Sequence, residues 1–309
     1  MAYNLKEQMS KPERFEAGHR LCAGCGAGIT CRAMMRALNP EDKAVVCNAT
    51  SCLEVSSFQY PYTAWMDSYI HSAFENTSAV AAGVESAYKV LKRKGKIQDN
   101  FKILAIGGDG GTYDIGFQSL SGALERGHDF TYFCYDNEAY MNTGTQRSSA
   151  TPRFASATTT PAGRESVGKK QNQKDLTQIV VAHGSPYVAQ TTFLGNFKDF
   201  HEKAHKAIYT EGPTFVNVLC PCPRGWQYSA ELLPEICRLA VETCVWPLYE
   251  VENGEYHLTY MPKKKRPVEE FMKLQGRFRH CFKPGNEWTI EAAQQYVDEK
   301  WEALLAKCK

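Results

Sequence analysis

Residues 101–113 read FKILAIGGDGGTY, and this stretch decides the fold. Phe101 to Gly107 is an uninterrupted apolar run of strand length, as expected of a strand buried on both faces. A glycine loop follows, and Thr112 or Asp114 can cap the helix that comes next. That helix is predicted over Asp114 to Arg126 and is closed by Gly127. Phe130 to Tyr135 (FTYFCY) is the following strand. Outward from this unit, Lys43 to Asn48 (KAVVCN) and Thr214 to Leu219 (TFVNVL) read as further strands. Apolar runs at Ile179 to Ala182 and Tyr187 to Ala189 flank His183-Gly184-Ser185-Pro186. Helical patterns cover Ala27 to Leu38, stopped by Asn39-Pro40, then Ala73 to Lys94, closed by Gly95, and Phe197 to Thr210. Alternating strands and helices predict an α/β fold with a doubly wound, mostly parallel sheet.

Three regions depart from the alternation. Residues 1–20 read as an extended arm. Residues 148–174 are rich in Ser, Thr, Ala, Gly and Pro, carry Lys169-Lys170, and are too long for an ordinary connector. They are expected to form a functional or partner-contacting loop. After Pro223 the pattern changes again: a helix at Ala230 to Val245, a strand at Tyr256 to Tyr260, a solvated basic turn at Lys263-Lys264-Lys265-Arg266, and a helix at Ile290 to Lys307. The expected organisation is therefore an N-terminal cysteine-bearing arm over 1–60, a ligand-binding domain over 61–225, and a C-terminal helical extension over 226–309.

The chain has 309 residues, enough for a sizeable core. Lys and Arg number 36 against 34 Asp and Glu, and a net charge of +2 argues against a nucleic-acid partner. No apolar run reaches the roughly 18 residues of a membrane span. The polar N-terminal stretch lacks the apolar core of a signal peptide, so the default expectation is cytoplasmic.

Twelve cysteines in such a chain call for a metal or redox reading. Two groupings are tight: Cys22 with Cys25, and Cys220 with Cys222. The first pair alone allows zinc, a redox dithiol ahead of a helix, or nothing. Cys47 falls inside a strand and reads as core.

The glycine loop and the next strand suggest a site. Asp109 follows one strand and Asn137 the next, and ligands of open α/β sheets bind at the carboxyl ends of strands. Gly108, Gly110 and Gly111 let backbone N–H groups approach phosphate oxygens. A carboxylate, an amide oxygen and a loop carbonyl suit Mg²⁺ or Ca²⁺, with phosphate completing the shell. Alone, Gly-Asp-Gly could be only a turn; paired with Asn137 it favours a metal–diphosphate site.

Gly108-Asp109-Gly110 followed by Asn137 resembles the thiamine-diphosphate motif. The segments GDGGTYDIGFQSLSGALERGHDF, CYDNEAYMNTG, QRSSATP, CAGCG at 22–26, NATSCLEVSS at 48–57, PYTAWMDSYIHSAFEN at 61–76 and CPCPRGW at 220–226 resemble the β subunits of pyruvate:ferredoxin oxidoreductase and its 2-oxoacid relatives. The resemblance covers most of the chain up to about residue 250. It implies a diphosphate-type domain in which Asp109, Asn137 and the carbonyl of Ala139 hold Mg²⁺. It also implies that Asn142, Thr143 and Gly144 form an active-site segment, with Asn142 catalytic beside thiazolium and substrate. It implies a 4Fe–4S cluster on Cys22, Cys25, Cys52 and Cys222. Ser51 replaces the family's usual glycine, and the extra Cys220 is a rival fourth ligand.

The implied reaction is oxidative decarboxylation of a 2-oxoacid, pyruvate first, to acetyl-coenzyme A and CO₂, with electrons passed to ferredoxin. Oxalate or another 2-oxoacid is an alternative substrate, with Ile115 and Phe117 expected to narrow the cavity. A cluster-bearing electron carrier without thiamine and a thiamine enzyme without a cluster are competing readings. His19 and His71 carry no clear role, and Arg224 could pair with a partner carboxylate. The glutamate that activates thiamine has no place in this chain. It is expected from a pyrimidine-binding subunit of a hetero-oligomer that also includes a ferredoxin-like subunit.

Overall fold

The computed structural model describes residues 4–308. The chain runs through α1 (Leu5–Ser10), α2 (Gly26–Met35), β1 (Lys43–Ala49), α3 (Cys52–Ser57), β2 (Phe58–Gln59), β3 (Tyr62–Thr63), β4 (Ser68–Ser72) and α4 (Thr77–Arg93). Next come β5 (Phe101–Gly108), a π-helical turn (Gly110–Ile115), α5 (Phe117–Glu125), β6 (Thr131–Asp136), α6 (Leu176–Val181), β7 (Tyr187–Thr191), α7 (Phe197–Tyr209) and β8 (Thr214–Leu219). It ends with α8 (Pro223–Trp226), α9 (Leu233–Glu242), β9 (Tyr249–Glu252), β10 (Glu255–Leu258), α10 (Val268–Lys273), a 3₁₀ segment (Gly276–Phe282) and α11 (Glu287–Leu305).

Among the described residues, eight strands form one sheet in the order β10-β9-β7-β8-β6-β5-β1-β4. The run from β7 to β4 is parallel, and β9 and β10 add an antiparallel hairpin at one edge. Successive side chains on a strand face opposite ways, and both faces here are covered. Ile103, Ala105, Tyr132, Cys134 and Phe215 pack beneath α4 and α5 on one face. Leu104, Ile106, Phe133, Tyr135 and Val216 pack beneath α2 and α7 on the other. This is the doubly wound α/β arrangement expected, with a mostly parallel sheet.

Several local expectations fail for physical reasons. The helix expected from Ala73 begins only at Thr77, because Ser68–Ser72 pairs with β1 as an edge strand. Its mixed, largely exposed side chains carry no clean alternation. The run Ile179 to Ala182 falls in helix α6 and its C-cap; Asp175 caps that helix through the N–H of Gln178. The helix expected from Asp114 splits into the π-helical turn and α5, with Gly116 between them. The arm is not wholly extended: Asn4 caps α1 by accepting from the N–H groups of Lys6 and Glu7. The basic run is not simply solvated, since Lys265 pairs with Asp298 and Arg266 pairs with Glu242 and Glu270. Among the described residues, no helix is long and apolar enough to cross a membrane.

Candidate active site

Strand register builds the site. Gly107 pairs with Cys134 and Gly108 with Tyr135, so β5 and β6 end side by side. The next residues, Asp109 and Asn137, therefore meet. Asp109 is fully buried, and desolvation pushes its carboxyl up to about 7, against a hydroxyl from Ser148 and the backbone N–H of Asn137. Ser148 Oγ donates to Oδ2 at 2.5 Å, and the Asn137 N–H reaches Oδ1 at 3.4 Å.

Three oxygens converge beside it. The Asn137 amide oxygen stands 2.8 Å from the Ala139 carbonyl oxygen and 3.0 Å from Asp109 Oδ1. Oxygens this close repel unless a cation lies among them; without one the amide turns and donates its NH₂ instead. Metal–oxygen bonds of about 2.1 Å in an octahedron put neighbouring ligands about 3 Å apart, so the trio fits Mg²⁺. The donor set is hard oxygen throughout, as that ion requires.

The glycines are fitted to their neighbours. A Cβ on Gly110 would lie 2.4 Å from the Tyr140 ring, and one on Gly111 would lie 2.9 Å from the Phe74 carbonyl oxygen. Tyr140 also donates its hydroxyl to the Gly110 carbonyl at 2.8 Å. These contacts shape a narrow cleft with a cavity of about 20 Å³, lined by Gly108, Asp109, Gly110, Gly111, Asn137, Ala139, Asn142 and Thr143, with Cys52 on its wall. Gly144 is outside that lining; it turns the chain at φ +117°. Ile115 is exposed and Phe117 packs at the rim of the core, so neither narrows this cleft.

The cysteines sort by burial. Seven are fully buried, whereas Cys22, Cys25, Cys52, Cys222 and Cys308 are not. Burial pushes Cys25 up to about 11 and Cys52 up to about 12. Every pairing among Cys22, Cys25, Cys52 and Cys222 adds repulsion between thiolates, so the four share one neighbourhood. Three lie at helix starts: Cys25 caps α2, Cys52 opens α3 and Cys222 caps α8. Helix N-termini favour the thiolate form and anionic groups bound to it. The Gly26 N–H donates to Pro221 O at 3.2 Å and joins two of these loops. A Cβ on Gly26 would collide with the backbone of Cys220 and Pro221. Cys220 points the other way, into the core, with its thiol 3.4 Å from Thr30 Oγ1. Among the described residues, no three His, Cys, Asp or Glu side chains close around a single metal ion.

Asn142 and Cys52 line the same cleft, and the Asn142 side chain favours the Cys52 thiolate, so the oxygen site and the sulfur site adjoin. His71 Nε2 lies 2.7 Å from Thr50 Oγ1 on the cleft wall, His19 stacks on Phe15, and Arg224 is exposed. Lys169 does not face a partner: it is buried, with its Nζ donating to the carbonyls of Ser149 and Thr151. That lysine shapes the loop from which Ser148 reaches Asp109.

Sequence reasoning missed Ser148, Asp136, Glu138, Trp226 and Arg277. Asp136 is fully buried, accepts from the Tyr113 hydroxyl at 2.6 Å and is pushed well above the usual carboxylate range by burial. Trp226 Nε1 donates to the Asn137 carbonyl at 2.8 Å. The proximity of an acidic cluster to Asn137 was readable in Asp136-Asn137-Glu138; the distant partners left no local signal.

The fold and the site define a thiamine-diphosphate-binding domain. Residues 44–218 match the family described as thiamine pyrophosphate enzyme, C-terminal TPP binding domain. Pyruvate synthase subunit PorB of Methanocaldococcus jannaschii is 52% identical over 96% of this chain and 98% of its own length. The same subunit of Thermotoga maritima is 50% identical over 99% and 96%. Ketoisovalerate oxidoreductase subunit VorB of Pyrococcus furiosus is 44% identical over 97% and 96%. A 2-oxoglutarate:ferredoxin oxidoreductase structure from Magnetococcus marinus shares the fold, with a TM-score of 0.57 at 23% identity over 77% of this chain and 81% of that one. The chain belongs to the β subunits of the 2-oxoacid:ferredoxin oxidoreductase family, the pyruvate synthase type, and is one part of a multi-subunit enzyme.

Proposed function

We propose that this β subunit binds Mg²⁺–thiamine diphosphate and a 4Fe–4S cluster, and oxidises pyruvate with coenzyme A to acetyl-coenzyme A and CO₂, passing electrons to ferredoxin. The observation that carries it is the shared cleft: the Asp109–Asn137–Ala139 oxygens and the Cys52 thiol line one cavity. Thiamine diphosphate supplies a carbon nucleophile and electron sink, and an iron–sulfur cluster supplies a one-electron acceptor within reach.

The chain's own residues then have distinct roles. Asp109, Asn137 and the Ala139 carbonyl hold Mg²⁺, and Gly110 and Gly111 leave room for diphosphate oxygens against the backbone. Asn142 is the catalytic candidate: it lines the cleft together with Cys52 and favours the Cys52 thiolate. Cys22, Cys25, Cys52 and Cys222 hold the cluster; the inward packing of Cys220 supports Cys222 as the fourth ligand. The domain boundaries we favour keep 1–60, 61–225 and 226–309, although β1 from the first segment and β9 and β10 from the last share the sheet of the middle segment.

The cleft contains no glutamate among the described residues. The activating glutamate would come from a pyrimidine-binding subunit. Leaving the cleft wall at Cys52, the chain exposes Val55, Phe58, Tyr60, Tyr62, Met66 and Ile70 before returning at Phe74. An exposed apolar stretch of this kind is the usual mark of an interface and supports such a partner. Pyruvate is favoured because the relatives at 50% identity or more carry that name, while VorB at 44% keeps branched 2-oxoacids open. The test is anaerobic reconstitution with the other subunits. Coenzyme A-dependent reduction of ferredoxin by pyruvate is expected, with slower turnover on 2-oxoisovalerate and none by the isolated chain. Faster turnover on the branched acid would reassign the substrate.

A further inference from the structure

We propose that Arg277, far from the motif in sequence, is a positioning residue for the magnesium turn; this rests on the thiamine reading above. The turn from Asn137 to Ala139 passes through Glu138, which sits at φ +64°, a left-handed conformation that a glutamate rarely adopts. Something must hold it there. The Arg277 guanidinium donates from Nη2 to Glu138 Oε2 at 2.5 Å, and both side chains are almost wholly buried, at 3% and 0% exposure. Gln173 donates to the other carboxylate oxygen at 2.9 Å. The Glu138 N–H reaches Asp136 Oδ1 at 2.9 Å, and its carbonyl accepts from Thr151 Oγ1 at 2.6 Å.

The same guanidinium lies against the Trp226 ring, 3.8 Å from its centroid. Trp226 in turn donates to the carbonyl of Asn137, the proposed magnesium ligand. Arg277 thus grips the turn at two successive residues, directly at Glu138 and through Trp226 at Asn137. Its own pose is fixed: Nε donates to Gln275 Oε1 at 2.8 Å, and its carbonyl accepts from the Ser156 N–H at 2.9 Å.

Charge adds to geometry. Asp109, Asp136 and Glu138 are three buried carboxylates that repel one another. Arg277 is a buried cation paired with Glu138 and facing Asp136. Without it, the Glu138 carboxylate would lose its buried counter-charge and the turn would lose its grip. Trp226 also belongs to the short helix that Cys222 caps, so its ring stands between the magnesium turn and one wall of the sulfur site.

The test titrates the assembled complex with thiamine diphosphate and Mg²⁺ by calorimetry, with iron content measured on the same samples. Arg277→Gln should weaken cofactor binding roughly 10- to 100-fold, the range for losing a residue that orients a metal ligand. Iron should stay at the wild-type level. Arg277→Lys should recover part of the affinity. Turnover of Arg277→Gln at saturating cofactor should return to within a few-fold of wild type, because Arg277 touches no reacting atom. Affinity within twofold of wild type, with iron retained, overturns the proposal. If Arg277→Gln does not assemble, Glu138→Gln/Arg277→Gln decides, because it leaves no unpaired buried charge. Binding weakened tenfold or more in that double variant supports the proposal, and wild-type affinity overturns it. A wild-type complex that binds no cofactor would overturn the functional reading itself, and this proposal with it.

Discussion

The side chain of Asn142 shares a cleft with Cys52 and favours its thiolate against the burial that pushes it up, so a residue of the thiamine cleft stands beside a proposed cluster ligand. Asn142→Ala should therefore separate chemistry from assembly. Losing a positioned polar donor costs about 10² in turnover, while thiamine and iron contents should stay unchanged. Steady-state kinetics on the reconstituted complex checks this.

Asp109→Asn should abolish Mg²⁺-dependent thiamine binding, with at least a roughly 100-fold loss of affinity, because the carboxylate supplies the site's only formal negative oxygen among the converging three. The near-400 nm absorption of an iron–sulfur cluster should survive. Calorimetry and an optical spectrum on one sample report both.

The two neighbouring cysteines should behave oppositely. Cys222→Ser should cost the cluster, since Cys222 shares the neighbourhood of Cys22, Cys25 and Cys52. Cys220→Ser should keep it, since that thiol packs inward beside Thr30, and the cost should be limited to about 1 kcal/mol of stability. Iron analysis and thermal unfolding distinguish them.

Cofactor affinity should depend on pH with a definite sign. Burial raises Asp109 to about 7, so the cation-free site holds a proton that Mg²⁺ must displace. Affinity is expected to rise with pH up to about that value and level off above it, and to fall steadily on the acid side. Titrations at several pH values would show a flat profile if Asp109 were not a ligand.

Gly110→Ala should damage the cleft without touching a ligand. Its Cβ would meet the Tyr140 ring at 2.4 Å, so the ring must move. A loss of about 1–3 kcal/mol of stability and weaker cofactor binding are expected. Differential scanning calorimetry and cofactor titration measure the two effects.

The centre of the fold was legible because burial on both faces writes an unbroken apolar run, as at Phe101–Gly108 and Thr214–Leu219. Adjacent strand ends then brought Asp109 to Asn137. Edges were not legible. Ser68–Ser72 is half in solvent and β9 pairs only through a short antiparallel run, so neither shows a strong period. The residues behind the ligands were hidden for another reason. Arg277 meets Glu138 through the folded chain alone, and no spacing rule links positions so far apart. Lys169 looked like a surface charge because composition cannot show that two carbonyls receive its ammonium.

One thiamine site and one cluster site on the same chain define the proposed function. The direct measurement is anaerobic purification of the native complex, with thiamine diphosphate, iron and sulfide quantified for wild type and Cys22→Ser. One thiamine per copy of this chain is expected, with a loss of about four irons in the variant and thiamine retained. Unchanged iron in Cys22→Ser, or iron without thiamine in the wild type, would contradict it.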